Sequence, residues 1–211
     1  MMRSMVKELN IIIGGPQGAG LETSMQLLST AFARLGYGVV SDREYFSNIK
    51  GRHSYINLRV SSTSIPKALK DTVQIVGAMD AETVFTHFED LDDGGCIVYD
   101  VSSARKPIDA IPSIEPQLKD RLRSSFSEIG VDGTISSLVN YLKEQRKIKA
   151  IDLNYPMILA SIKDKFKLAP EQASRYVSSI LFGGISGLAD LDEDSIQYAL
   201  ERRFKGIEKI L

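Results

Sequence analysis

The chain has 211 residues, 43% hydrophobic and 25% charged, the composition of an ordinary soluble globular protein of one domain with at most a small appendage. Its 26 basic and 27 acidic residues leave a net charge of −1, so no global field draws it to nucleic acid or to an anionic membrane, and any anion site must be local. One cysteine, Cys96, excludes an intrachain disulfide framework and a cysteine-rich cluster or cysteine-rich zinc site within the chain; with no apolar run near the ~20 residues of a membrane span, a cytoplasmic setting is expected.

Leu9-Asn10-Ile11-Ile12-Ile13 reads as a buried strand, and Gly14-Gly15-Pro16-Gln17-Gly18-Ala19-Gly20 as a sharp turn. Leu21, Met25, Leu28, Phe32 and Leu35 then recur on one face of a helix. Such a turn brings free backbone N–H groups and the positive end of a helix to the carboxyl edge of a sheet, where anions are held. The glycine spacing does not match the dinucleotide fingerprint in any register. It does have the outer spacing of a nucleoside-triphosphate loop, but Leu21 and Glu22 stand where that loop needs Lys and Ser or Thr, and a carboxylate there opposes a triphosphate. Glycines that merely allow a tight turn and close helix packing are the competing reading.

Gly36-Tyr37-Gly38 closes the helix and Val39-Val40-Ser41-Asp42 reads as a second strand, which predicts a right-handed βαβ unit. Arg43 to Ser54 is a polar, charged loop, followed by alternating Ile56, Leu58 and Val60 of an edge or antiparallel strand. Thr72 to Gly77 offers another strand, after which Asp80 can cap a helix through Phe85, Phe88 and Leu91 that ends at Asp92-Asp93-Gly94-Gly95. Cys96 to Asp100 is a compact apolar strand, with Cys96 as core packing, and the stretch from Lys106 to Pro116 is a proline-rich connection. The alternation predicts a three-layer α/β/α domain with a mainly parallel sheet. About 1–115 is its sheet-forming part and about 116–211 a mostly helical part. Helices are expected around Ile135, Leu138, Val139 and Leu142, from Leu153 to Phe166 with Pro156 in the first turn, from Pro170 to Gly183-Gly184, and after Asp192.

Lys50, Arg52 and His53 place two fixed positive charges and a titratable ring within four residues, beside Gly51. Forked Arg hydrogen bonds, a Lys point charge and a His that donates or accepts suit a phosphate or carboxylate; an ion-paired subunit contact is the alternative. Arg59, alternating with apolar neighbours, reads as structural, and His87, beside Phe85 and Phe88, as a packed or solvated residue without a role. Asp42 and Glu44 lie about twenty residues beyond the glycine loop, where a ribose-binding carboxylate would stand, but the broken fingerprint discounts them.

Several strings together resemble the gamma subunit or gamma domain of 2-oxoacid:ferredoxin oxidoreductases, the pyruvate:ferredoxin oxidoreductase family. They are Asn10 to Gly20, Gly36-Tyr37, Ser47-Asn48-Ile49-Lys50-Gly51-Arg52-His53-Ser54-Tyr55 with Arg59-Val60, and Gly94-Gly95-Cys96-Ile97-Val98-Tyr99-Asp100. Gly51 is followed by Arg52 rather than by a second glycine, which resembles the domain fused at the front of long alpha subunits. The resemblance implies a component of a heteromeric enzyme that oxidatively decarboxylates a 2-oxoacid with thiamine diphosphate, passes electrons through an iron–sulfur cluster to ferredoxin, and delivers the acyl group to coenzyme A.

It implies that the chain is not catalytic alone. The Tyr-Pro-Ile-Thr-Pro signature of the alpha domain is absent, as are cluster cysteines, and Tyr155-Pro156-Met157 is no substitute. Thiamine diphosphate, Mg and a [4Fe-4S] cluster are therefore expected on the alpha domain and beta subunit, or on a continuation of this chain. For this chain, the residues expected to touch a cofactor, coenzyme A phosphates above all, are Gly15, Gln17, Gly18, Ala19, Gly20, Lys50, Gly51, Arg52 and His53; no catalytic residue or metal ligand is assigned. A free-standing nucleotide-binding or regulatory α/β module is the alternative function.

Overall fold

A computed structural model describes residues 7–45, 53–173 and 176–205. Along the chain run β1 (Glu8–Pro16), α1 (Leu21–Arg34), β2 (Gly38–Tyr45), β3 (His53–Ser61), β4 (Val73–Ala78), α2 (Ala81–His87) and β5 (Leu91–Asp100). They are followed by α3 (Pro116–Ile129), α4 (Ile135–Gln145), β6 (Lys149–Leu153), α5 (Tyr155–Phe166), the single turn α6 (Pro170–Ala173), α7 (Val177–Leu188) and α8 (Glu193–Phe204).

The strands form one sheet in the order β2-β3-β1-β4-β5-β6. β3 is antiparallel to both β1 and β2, while β1, β4, β5 and β6 pair in parallel, so β3 alone runs against the rest. β2 therefore points the same way as β1, as a βαβ unit requires, but it sits beyond β3 at the sheet edge instead of beside β1. The sheet is mainly parallel and is covered on both faces. Alternation along β1 divides its isoleucines. Ile11 and Ile13 pack with α1, α7 and α8, and Ile12 packs with α2, α3 and α4.

Several segments depart from the sequence expectation. The expected loop from Arg43 to Ser54 gives its first three residues to β2 and its last two to β3, drawn in by the β2–β3 ladder, and Pro116–Ile129 forms a helix, α3, that matches none of those expected. Leu91 to Gly95 opens β5 instead of ending α2, which stops at His87. Gly94 takes φ +77° and donates to the Arg146 carbonyl at 2.9 Å, which lets an acidic, glycine-containing stretch run as an irregular strand. Lys149–Leu153, included in no expected strand, forms the edge strand β6, and α7 runs through Gly183 and Gly184 because Leu181, Phe182 and Ile185 bury its apolar stripe. Cys96 is buried in the core. No helix among the described residues is long and apolar enough to cross a membrane.

Candidate functional site

The chain leaves β1 toward α1 on one face of the sheet and leaves β4 toward α2 on the other. β1 and β4 are parallel neighbours, with Gly14 opposite Ala78, so their carboxyl ends open a crevice where the winding of the sheet reverses. The glycine loop lies on that edge. Ala19 N–H closes a turn onto Pro16 O at 3.0 Å, Gly18 and Gly20 adopt φ +92° and +91°, and Gly20 caps α1 without any side-chain acceptor. Among the described residues no side chain caps the first-turn N–H groups of α1, which are open to solvent or a ligand.

Packing accounts for three of the four glycines. A Cβ on Gly14 would lie 2.6 Å from Thr83 Cγ2, one on Gly15 2.8 Å from Met79 Cβ, and one on Gly20 2.6 Å from Ser178 Oγ. Only Gly18 faces open space. Between these glycines, Gln17 carries a buried Oε1 that has no hydrogen-bond partner among the described residues, and Ala19 packs against the core shared with α1 and α7. Glu22, which the sequence argument set against a triphosphate, is held by Arg43 of β2 at 2.5 Å, so its charge is opposed within the protein.

The start of β3 reaches the same edge. Pro16 pairs with His53 and Gly15 with Ser54 in the β1–β3 ladder, which sets the start of β3 beside the glycine turn. Lys50, Gly51 and Arg52 lie outside the described residues. His53 is buried and its Nε2 lies 2.9 Å from His87 Nε2, while His87 Nδ1 lies 2.6 Å from Asp90 Oδ2. Tyr55, two residues along β3, sets its ring edge-on to His87 at 4.5 Å between centroids. Burial, with the nearby His87 adding to it, holds His53 down at about 3, so near neutral pH this ring adds no positive charge to the edge.

Asp80 caps α2, its Oδ1 accepting from Thr83 N at 2.9 Å and Thr83 Oγ1 at 2.6 Å, and burial raises its carboxyl above the usual range. Glu82, two residues on in the first turn of α2, is buried. Tyr155 reaches across from α5 to donate to Ala78 O at 2.9 Å, fixing the end of β4. Sequence reasoning weighed His87 and gave it no role, passed over Glu82 and Arg43, and read Asp80 only as a cap. The signal for His87 was its spacing to Asp90, three residues on. Nothing local marked the rest, because they meet across strands. Arg59 pairs with Glu8 at 3.1 Å, away from this edge. A separate cleft lined by Phe88, Glu89, Glu128, Tyr141 and Arg146 offers little to an anion, since Arg146 is bound to Asp93 and to the carbonyls of Phe88 and Leu91.

A family model described as pyruvate ferredoxin/flavodoxin oxidoreductase matches residues 10–211. The 2-oxoacid:ferredoxin oxidoreductase 1 subunit alpha of Aeropyrum pernix is 44% identical over 208 residues, 98% of this chain and 33% of that protein. The 2-oxoacid:ferredoxin oxidoreductase subunit alpha of Saccharolobus solfataricus is 32% identical over 194 residues, 92% of this chain and 30% of that protein. The chain thus spans about a third of the length of the curated relatives it matches. Among solved structures, a 2-oxoglutarate:ferredoxin oxidoreductase from Magnetococcus marinus with 2-oxoglutarate, coenzyme A and succinyl-CoA bound aligns with a TM-score of 0.61 at 20% identity, covering 94% of this chain and 27% of that one. The gamma subunit of a keto/oxoacid ferredoxin oxidoreductase from Geobacter sulfurreducens aligns with a TM-score of 0.61 at 14% identity, covering 96% of this chain and 88% of that one. At these identities the structural likeness is one of fold.

Proposed function

The chain belongs to the pyruvate ferredoxin/flavodoxin oxidoreductase family, and from that premise we propose that it is a gamma-type domain, residues 1–211 as one unit, of a 2-oxoacid:ferredoxin oxidoreductase. The enzyme oxidatively decarboxylates a 2-oxoacid, passes the electrons to ferredoxin and transfers the acyl group to coenzyme A. This chain supplies no reacting group. Its single cysteine cannot ligate a four-iron cluster, and thiamine diphosphate with its Mg belongs on the alpha and beta partners.

The role proposed for the domain is to receive coenzyme A phosphates at the crevice and to help assemble the complex. The observation that carries the reading is the pairing of Gly15 with Ser54 and Pro16 with His53, which places the uncapped start of α1 beside the chain that leads back to Arg52, Gly51 and Lys50. A phosphate is held by backbone N–H groups together with fixed cations, the two kinds of group that the start of α1 and the Lys50-Gly51-Arg52 sequence would supply. Assembly has its own support in α5, which buries only Tyr155 and leaves Met157 and Phe166 exposed.

The test is Arg52→Ala and Lys50→Ala in the assembled enzyme, following the apparent KM for coenzyme A separately from that for the 2-oxoacid. Losing one charge-assisted contact of about 1.5–3 kcal/mol raises the KM for coenzyme A roughly tenfold to a hundredfold. Failure of assembly would make the loop a subunit contact, and unchanged constants in an intact complex would remove the pocket.

A further inference from the structure

We propose that His53, Asp80 and Glu82 bind one divalent transition-metal ion, of the zinc or manganese class, at the edge where β1 and β4 diverge. A ring nitrogen of His53 and one carboxylate oxygen from each of Asp80 and Glu82 lie within 4.8 Å of one another. Donors bound to such an ion at ~2.1 Å stand roughly 3–4 Å apart, so the side chains close on it by about an ångström.

The hydrogen bonds decide which nitrogen is offered. The Asp90 carboxylate can only accept, which puts a proton on His87 Nδ1; in the tautomer with that proton alone, His87 Nε2 is an acceptor. In that tautomer His53 donates from Nε2 to His87, and its Nδ1 is left with a bare lone pair. That Nδ1 is buried without a hydrogen-bond partner among the described residues, on a side chain only 5% exposed. An unpartnered lone pair there is costly unless something electrophilic meets it. The chain of Asp90, His87 and His53 has the form of the outer partners that orient a metal-ligating histidine, raising its basicity through the N–H it donates.

The carboxylates fit the same reading. Asp80 commits Oδ1 to Thr83 N and Oγ1, which fixes its orientation and leaves Oδ2 for a ligand. One imidazole with two carboxylates and no thiolate disfavours soft ions, and the nitrogen disfavours magnesium against zinc or manganese. Asp80 and Glu82 are two residues apart, but His53 lies 27 residues before Asp80 on another strand, which is why the set was not legible in the sequence.

The proposal does not rest on the coenzyme A reading, and its test uses no enzyme kinetics, so either can fail alone. The full chain, stripped with a chelator, is titrated calorimetrically with zinc, manganese and magnesium chlorides while circular dichroism follows its fold. One equivalent of zinc or manganese should bind, at least about tenfold tighter than magnesium. Asp80→Asn, which still caps α2, and Glu82→Gln should each weaken binding a hundredfold or more, and His87→Phe about tenfold to a hundredfold. Absence of stoichiometric binding to the folded chain overturns the proposal, as does binding that Asp80→Asn and Glu82→Gln leave unchanged. Should a variant unfold, pulsed electron paramagnetic resonance of the manganese-loaded parent decides. Coupling to an imidazole nitrogen supports the site, and ligation by oxygen alone overturns it.

Discussion

Replacing Gly14 with alanine puts a methyl where three atoms already stand. Its Cβ would meet Thr83 Cγ2 at 2.6 Å, Thr83 Oγ1 at 2.7 Å and His53 Cε1 at 2.9 Å, all well inside van der Waals contact. Thr83 can turn away only by giving up its 2.6 Å bond to Asp80, one of the two that cap α2. His53 can retreat only by disturbing its contact with His87. Overpacking of ~1–3 kcal/mol, with ~1 kcal/mol for the hydroxyl bond, gives a loss of roughly 2–4 kcal/mol. At roughly 2–4 °C per kcal/mol for a chain of this size, Tm falls by about 4–16 °C. Gly183→Ala provides the opposite sign, because a Cβ there meets nothing within 4 Å in the middle of α7, and alanine should add ~0.5–1 kcal/mol. Thermal unfolding followed by circular dichroism reads both. A Gly14→Ala protein that melts with the parent would refute the close approach of β1, α2 and His53; a Gly183→Ala protein that melts lower would refute the continuous helix.

Tyr155→Phe removes the donor to Ala78 O and should cost about 0.5–1.5 kcal/mol in urea unfolding; an unchanged midpoint would mean that α5 does not pin the end of β4. Lys70 first, then Arg59, hold the Glu8 carboxyl at about 2, down from 4.5. A depressed folded value means that the stabilisation is fully present above pH 4.5 and is lost as pH falls toward 2. Both partners are solvent-accessible, so the effect is modest. Glu8→Gln should therefore differ from the parent above pH 4.5 and converge with it near pH 2, in unfolding midpoints measured across that range. A difference independent of pH would contradict the ion pair.

Much of the first half was legible because its signals are local. The β-branched run at Ile11 to Ile13, the glycines and the α1 stripe mark one unit without help from elsewhere in the chain. What pairs with β1 was not legible, since β3 and β4 lie tens of residues away and strand order is a non-local choice. The acidic residues and glycines at 92–95 carry turn propensity, yet Gln74 of β4 bonds Asp92 and draws that stretch into β5. At Gly183, burial of Leu181, Phe182 and Ile185 outweighs the low helix propensity of paired glycines. Lys149–Leu153 is short and half-exposed, so only its pairing with Cys96 to Asp100 makes it a strand. The glycine half of the candidate site could be read from sequence, whereas the His53, His87 and Asp90 chain needed the fold to bring β3 against α2.

The central claim is that the crevice at the ends of β1 and β4 meets coenzyme A in the assembled oxidoreductase. Hydrogen–deuterium exchange of the complete enzyme, with and without coenzyme A, measures this directly. The account predicts slowed exchange at residues 17–24, the glycine turn and first turn of α1, together with 46–54. Protection that appears elsewhere in the complex and leaves both stretches unchanged would contradict it.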